Sequence, residues 1–402
     1  MKSKGILLTT LSCLGAIAVL GQAPIPPPPA APAAQTGPGV QAPNDSKFQA
    51  YVTANCKNPP AARGVGGAAG RGGGAGRGAA AGPPAHREYK VTEIAGVIAA
   101  GQMWKTIWTG TGNNADGPVG TSDGGMMFAQ NSNSKVMKLD KDGKVSYPYS
   151  DTNTGGALAM NKKGALFVVQ RGLPQEIWQL APKRQRLANM YMGEPFDCAA
   201  GLLNDITADS KGGVYFTLGG VYYANAKGVV TKYGTLGGVN GIILSPDEKT
   251  LYVTGRVGGA RGGAAAGAAP GPPGPGGAAA GQGAAGGAAA GRGGGGGGGG
   301  GLVAFDVQPD GSLTNERQFA MVGGDGTTVD AQGRVYSTGG GGVQVIAPDG
   351  KFLGEIPTPL NFITVAFSGP DKKTLYGVAN NQRFDEIFTI QMIAQGYKDR
   401  AK

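Results

Sequence analysis

The chain has 402 residues, 77 of them glycine, a formal net charge of +10 and a single histidine. The charge excess is local: the acid-free stretches 57–87 and 255–301, with Lys2 and Lys4, hold ten basic side chains, and the remainder is balanced. This argues against a nucleic-acid partner, because no basic face is left on the globular part. The one histidine, His86, lies in a Pro/Gly-rich stretch, which excludes a Ser-His-Asp triad or a histidine dyad.

In chain order, Lys2 and Lys4 precede the apolar run Ile6 to Leu20, which leaves through Val19-Leu20-Gly21. Residues 1–21 therefore read as an export signal, predicting a periplasmic or extracellular protein. Cys13 offers a lipoprotein anchor as the alternative, but the apolar run continues past it, which favours simple cleavage. No other stretch is long and apolar enough to cross a bilayer, so no integral membrane segment is expected in the mature chain. Residues 22–87 are rich in Pro, Ala and Gly and read as a disordered tether. Cys56 in that tether and Cys198 further on leave two readings open, a disulfide or two separate thiols.

From residue 88 to 394 a pattern repeats: a turn, then an apolar strand carrying an aromatic. It appears as Gly125-Met-Met-Phe128, Gly164-Ala-Leu-Phe167, Gly213-Val-Tyr215, Thr250-Leu-Tyr252, Gly333-Arg-Val-Tyr336 and Thr374-Leu-Tyr376. The aromatics are 39, 48, 37, 84 and 40 residues apart. The long interval contains the Gly/Ala-rich stretch 255–301, which cannot bury a core and reads as a disordered insertion. A period near 40 with several short strands per unit predicts an all-β, six-bladed β-propeller. In one unit the strands are expected at Gly241 to Leu244, Leu251 to Thr254, Leu302 to Val307 and Gln318 to Val322. The last unit offers only three strands, and Met103 to Trp108 from the other end supplies the fourth, removing an open sheet edge. Residues 395–402 are left as a C-terminal tail.

Counting back 11 or 12 residues from each aromatic lands on Asp116, Asn204, Asn240 and Asp325 in four units. In the other two it lands on Gly155/Gly156 and on Thr364/Val365. Equivalent units place the four polar side chains on one ring, where the innermost strands begin. Two carboxylates and two amides converging there suit a hard divalent cation. The insertion joins the second and third strands of its unit, so it emerges on the same face. Asp123, Asp142, Asp205 and Asp247 read as turn residues.

These residues resemble the senescence marker protein (regucalcin), gluconolactonase and lactone-hydrolase family of six-bladed propellers, from about Asp116 to Met392. The resemblance is carried by Asp116-Gly-Pro118, Leu203-Asn-Asp205, Val239-Asn-Gly-Ile-Ile-Leu-Ser-Pro-Asp247, Lys249-Thr-Leu-Tyr-Val253 and Asp325-Gly326, and by Gly340-Gly-Gly-Val-Gln-Val345 with Pro348-Asp-Gly-Lys-Phe-Leu-Gly354. It implies one catalytic divalent cation on the axis. Asp325 would be ligand and general base, Asn240 an amide ligand, and Asn204 a ligand or substrate-orienting amide. Asp116 stands where the family usually has Glu, a side chain shorter by roughly 1.5 Å. Leu202 stands where members that recognise sugar lactones often carry Arg.

The chemistry implied is metal-assisted hydrolysis of a small lactone or ester, with Asp325 accepting or guiding a proton. Oxygen-only ligands favour Ca²⁺, with Mg²⁺, Mn²⁺ or Zn²⁺ as alternatives. The competing reading is a non-catalytic propeller that binds a ligand or a protein.

Overall fold

The structure is a computed structural model describing residues 46–60, 85–111, 115–199, 201–255, 257, 301–339, 341–380 and 384–400. The expected signal, much of the expected tether and nearly all of the Gly/Ala-rich insertion lie outside these residues.

Six four-stranded antiparallel sheets follow one another as blades. Blade 1 comprises Ala115–Gly120, Met126–Gln130, Lys135–Leu139 and Val145–Tyr149, and blade 2 Gly155–Met160, Leu166–Gln170, Glu176–Ala181 and Gln185–Ala188. Blade 3 comprises Leu203–Ala208, Val214–Leu218, Val221–Ala224 and Val230–Tyr233. Blade 4 comprises Ile242–Leu244, Thr250–Thr254, Leu302–Val307 and Leu313–Ala320, its last strand starting earlier than the sequence suggested. Blade 5 comprises Thr327–Val329, Val335–Gly339, Gly342–Ile346 and Phe352–Pro357. Blade 6 takes Thr364–Ser368, Thr374–Asn380 and Phe384–Gln391 from the end of the chain and Lys105–Thr111 from its start. The closing pair is antiparallel, with Lys105 opposite Thr389 and Thr111 opposite Phe384. The expected ring closure is therefore present.

The repeated aromatics are buried, with Phe128, Phe167, Tyr215 and Tyr336 fully inaccessible. Apolar packing is concentrated in six clusters, one wedged between each neighbouring pair of blades. The second strands are buried on both faces because each blade is sandwiched by two others. This leaves the inner strand ends free to present polar groups around the axis.

The ends of the domain are more ordered than composition suggested. Within the expected tether, Ser46–Asn55 is an α-helix, and Cys56, just beyond it, is disulfide-bonded to Cys198. The helix buries Val52, and the Lys57 amide donates to Glu194 Oε1 at 2.5 Å. His86 lies 2.8 Å from Glu386, and Trp104 Nε1 donates to the Pro357 carbonyl at 2.9 Å, so residues 86–104 lie against blades 5 and 6. The C-terminal segment also docks. Gly396 donates to the Lys372 carbonyl and pairs with Asp330, while buried Arg400 reaches the Leu244 and Ser245 carbonyls of blade 4. The tail thus links blades 6, 5 and 4. Among the described residues, no helix is long and apolar enough to cross a membrane.

Candidate active site

Asp116 and Asn204 are the second residues of the inner strands of blades 1 and 3, and a register shift follows each in its pairing with the next strand. Asn240 and Asp325 lie in the loops that lead into the inner strands of blades 4 and 5. Backbone contacts fix both loops. The Asn240 amide donates to Thr254 Oγ1 at 3.2 Å and its carbonyl accepts from Thr217 Oγ1 at 2.8 Å. The Asp325 amide donates to the Thr338 carbonyl at 2.8 Å. Gly241 is required for this close approach, since a Cβ there would lie 2.2 Å from the Asp325 carbonyl oxygen.

The four side chains are brought into one arc. Asn204 Nδ2 donates to Asn240 Oδ1 at 2.5 Å, and the Asn240 side chain is close enough to Asp325 to favour its charged form. Between Asp116 and Asn204 stands a residue that sequence reasoning missed, Arg171, directly after the second strand of blade 2. Its Nη2 donates to Asp116 Oδ2 at 2.9 Å, to Asn204 Oδ1 at 2.5 Å and to the Asn204 carbonyl at 2.8 Å. Nε donates to the Leu203 carbonyl at 2.9 Å and Nη1 to Asn131 Oδ1 at 3.3 Å. The arc thus runs Asp116, Arg171, Asn204, Asn240, Asp325 through blades 1 to 5. Arg171 is buried, whereas the other four are half-buried and open toward solvent.

Of the residues read as turns, Asp123, Asp142 and Asp247 make short-range contacts. Asp205 does not. It is buried in the inner strand of blade 3, and its Oδ2 accepts from the Ile242 amide of blade 4 at 2.9 Å. It is an interblade tie that adds negative charge beside the arc.

That charge is visible in the acidities. Burial pushes the Asp325 carboxyl well above the usual range, and the Asp116 and Asp205 charges push it further. Arg171 and the neighbouring Asn240 amide oppose the rise. Burial also raises Asp116, with the Arg171 guanidinium as the main opposing influence. Among the described residues, no three His, Cys, Asp or Glu side chains form a metal-binding group. A cation here would rest on two carboxylates and two amides. This donor set fits a hard divalent ion: all oxygen, and with carboxylate charge that one guanidinium does not neutralise.

The insertion is anchored at this end. Thr254 pairs with Leu302, and the Gly255 amide donates to the Gly301 carbonyl at 2.9 Å. Thr254 itself touches Asn240, so the expected position of the insertion's base is found. Leu202, where a sugar-binding Arg was sought, is 40% exposed.

Residues 299–379 match the family model of the SMP-30/gluconolactonase/LRE-like region. A lactonase drp35 from Staphylococcus haemolyticus is 31% identical over 162 residues, 36% of this chain and 48% of that protein. The chain thus spans about half the length of the curated relative it matches. Among solved structures, a gluconolactonase from Xanthomonas campestris superposes with a TM-score of 0.57 at 20% identity, over 78% of this chain and 98% of that one. A calcium-binding regucalcin from Agrobacterium tumefaciens superposes with a TM-score of 0.50 at 17% identity, over 74% and 97% of the two chains. The chain is therefore a six-bladed propeller whose residues 299–379 are similar to the SMP-30/gluconolactonase/LRE-like region.

Proposed function

We propose that this protein is an exported lactonase that opens a small lactone with water, using the arc at the inner-strand ends and one divalent cation. The observation that carries the reading is the convergence of Asp116, Asn204, Asn240 and Asp325, drawn from four blades, on one open site. The similarity to a lactonase and to the gluconolactonase fold supports it. The disulfide and the signal-like 1–21 support export.

Asp325 is the catalytic residue in this reading. A half-buried carboxylate on the open arc, it is placed to take a proton from water. Water adds to the lactone carbonyl carbon as its proton passes to Asp325. The ring C–O bond then breaks, and the leaving oxygen takes a proton to give the hydroxy acid. Asn204, half-buried and held by Arg171 and Asn240, orients the substrate. Asp116, Asn204, Asn240 and Asp325 would hold the cation, Ca²⁺ before Mg²⁺, Mn²⁺ or Zn²⁺. When bound, it would polarise the carbonyl and acidify water.

The test is a panel of lactones offered to the mature protein with Ca²⁺, with chelator, and with Ca²⁺ restored. Turnover lost to chelator and recovered with Ca²⁺ is expected. Absence of turnover on every lactone would favour the second reading, a binding propeller, which the engagement of Asp116 and Asn204 by Arg171 favours.

A further inference from the structure

Blade 2 supplies no polar side chain at the ring position, where the sequence places Gly155 and Gly156. The vacancy is filled in another way. A Cβ on Gly156 would lie 2.1 Å from Arg171 Nε and 2.4 Å from its Cζ. Gly156 is thus the gap through which the guanidinium reaches the arc, and no other residue type would let it pass in this position. Arg171 then directs its donors to groups from the two flanking blades: Asp116 and Asn131 of blade 1, and the Leu203 carbonyl and Asn204 of blade 3. Two of these acceptors, Asp116 Oδ2 and Asn204 Oδ1, are oxygens the cation would need.

We propose that Arg171 is an internal cation that takes blade 2's share of the ring and competes with the divalent ion for Asp116 and Asn204. This rests on the reading of the arc as a cation site. A permanently charged guanidinium on two of four donors both repels a divalent ion and withholds its ligands. Binding therefore requires Arg171 to give up its bonds to Asp116 and Asn204. Arg171 is a positioning residue: it fixes the arc while the ion is absent and sets how much ion is needed to displace it. The protein is thereby tuned to a setting rich in divalent cations.

Calorimetric titration of CaCl₂ into the chelator-treated mature chain tests this with no substrate present. Arg171→Met should bind Ca²⁺ at least about tenfold more tightly than the unaltered protein, through loss of a competing unit charge. Arg171→Lys, which keeps a charge but not the planar fork, should fall between them. Gly156→Ala, which keeps the arginine but obstructs its path, should also tighten binding. Asp116→Asn should weaken it. If Arg171→Met fails to fold, the Arg171 Nη–H resonances of the unaltered protein give the answer, since Nη2 holds Asp116 and Asn204 and Ca²⁺ should shift its protons and expose them to solvent exchange. Ca²⁺ binding that is unchanged or weakened in Arg171→Met, or an Arg171 resonance indifferent to bound Ca²⁺, would overturn the competition while leaving the cation site standing. Absence of Ca²⁺ binding in every form would remove the cation site and the competition together.

Discussion

Removing the Cys56–Cys198 disulfide should weaken the whole propeller, although Cys56 lies outside it. The bond joins residues 142 positions apart, and the loop it closes contains blades 1 and 2. In the chain-entropy account, cross-linking a loop of that length removes roughly 17 cal/mol/K from the unfolded ensemble, about 5 kcal/mol at 25 °C. The folded state loses little in return, because the helix retains Val52 in its buried position and the bond from Lys57 to Glu194. Measured disulfide effects are commonly smaller, about 2–4 kcal/mol. With a urea slope near 3 kcal/mol/M, this corresponds to a midpoint lower by about 1 M. The Cys56→Ser/Cys198→Ser double variant, unfolded in urea beside the oxidised protein, is the appropriate pair, since it leaves neither thiol free to react. A deletion of residues 1–60 combined with Cys198→Ser should match the double variant to within the helix's own contacts. An unchanged midpoint in the double variant would show that the cross-link does not constrain the unfolded chain, and the entropic reasoning would fall.

Three further outcomes are expected. Asp325→Asn should abolish lactone hydrolysis while circular dichroism and thermal unfolding show a retained fold, and the cation-free variant should be at least as stable because one of three neighbouring carboxylates is gone. A second concerns pH: burial raises the Asp197 carboxyl from 3.8 to about 6, so the folded form holds its proton more tightly than the unfolded form. Its contribution is complete below pH 3.8 and is lost as pH rises through about 6, a fall of at most about 3 kcal/mol. Denaturant unfolding from pH 4 to 7 should show this slope in the unaltered protein and a flatter one in Asp197→Asn. Finally, replacing 255–301 by an Asn-Gly turn should leave the protein folded and about 2 kcal/mol more stable, from the shorter closure between Thr254 and Leu302. Failure of that variant to fold would contradict the observed hairpin.

The propeller was legible because its information is repeated. Each unit restates an aromatic after a turn, and the period survives even where 255–301 interrupts it. Asp116, Asn204, Asn240 and Asp325 were found by the same register. Arg171 was not, because it enters from the end of a second strand rather than from the ring position. Its only trace in the sequence is negative, a glycine pair where a polar residue was due. Asp205 was mistaken for a turn residue because Asn204-Asp205 reads as a turn. In the fold, the register shift between Leu203 and Ile206 sends its two oxygens to the amides of Ile206 and Ile242. The helix Ser46–Asn55 and the docked tail were invisible for another reason. Each is held by a few distant contacts, such as Cys198 for the one and the Leu244 carbonyl for the other, and local composition carries no record of them.

The closure of blade 6 by both ends of the chain has a kinetic consequence. Lys105–Thr111 can pair with Phe384–Gln391 only after every intervening blade has been made. The contact spans nearly the whole domain, and such long-range pairings are paid for in loop entropy before they return any stability. Until then the growing arc presents two bare strand edges, one on blade 1's side and one on the most recent blade, each able to recruit a strand from another molecule. Crowding during synthesis should therefore harm yield far more than it harms the finished ring, in which those edges no longer exist.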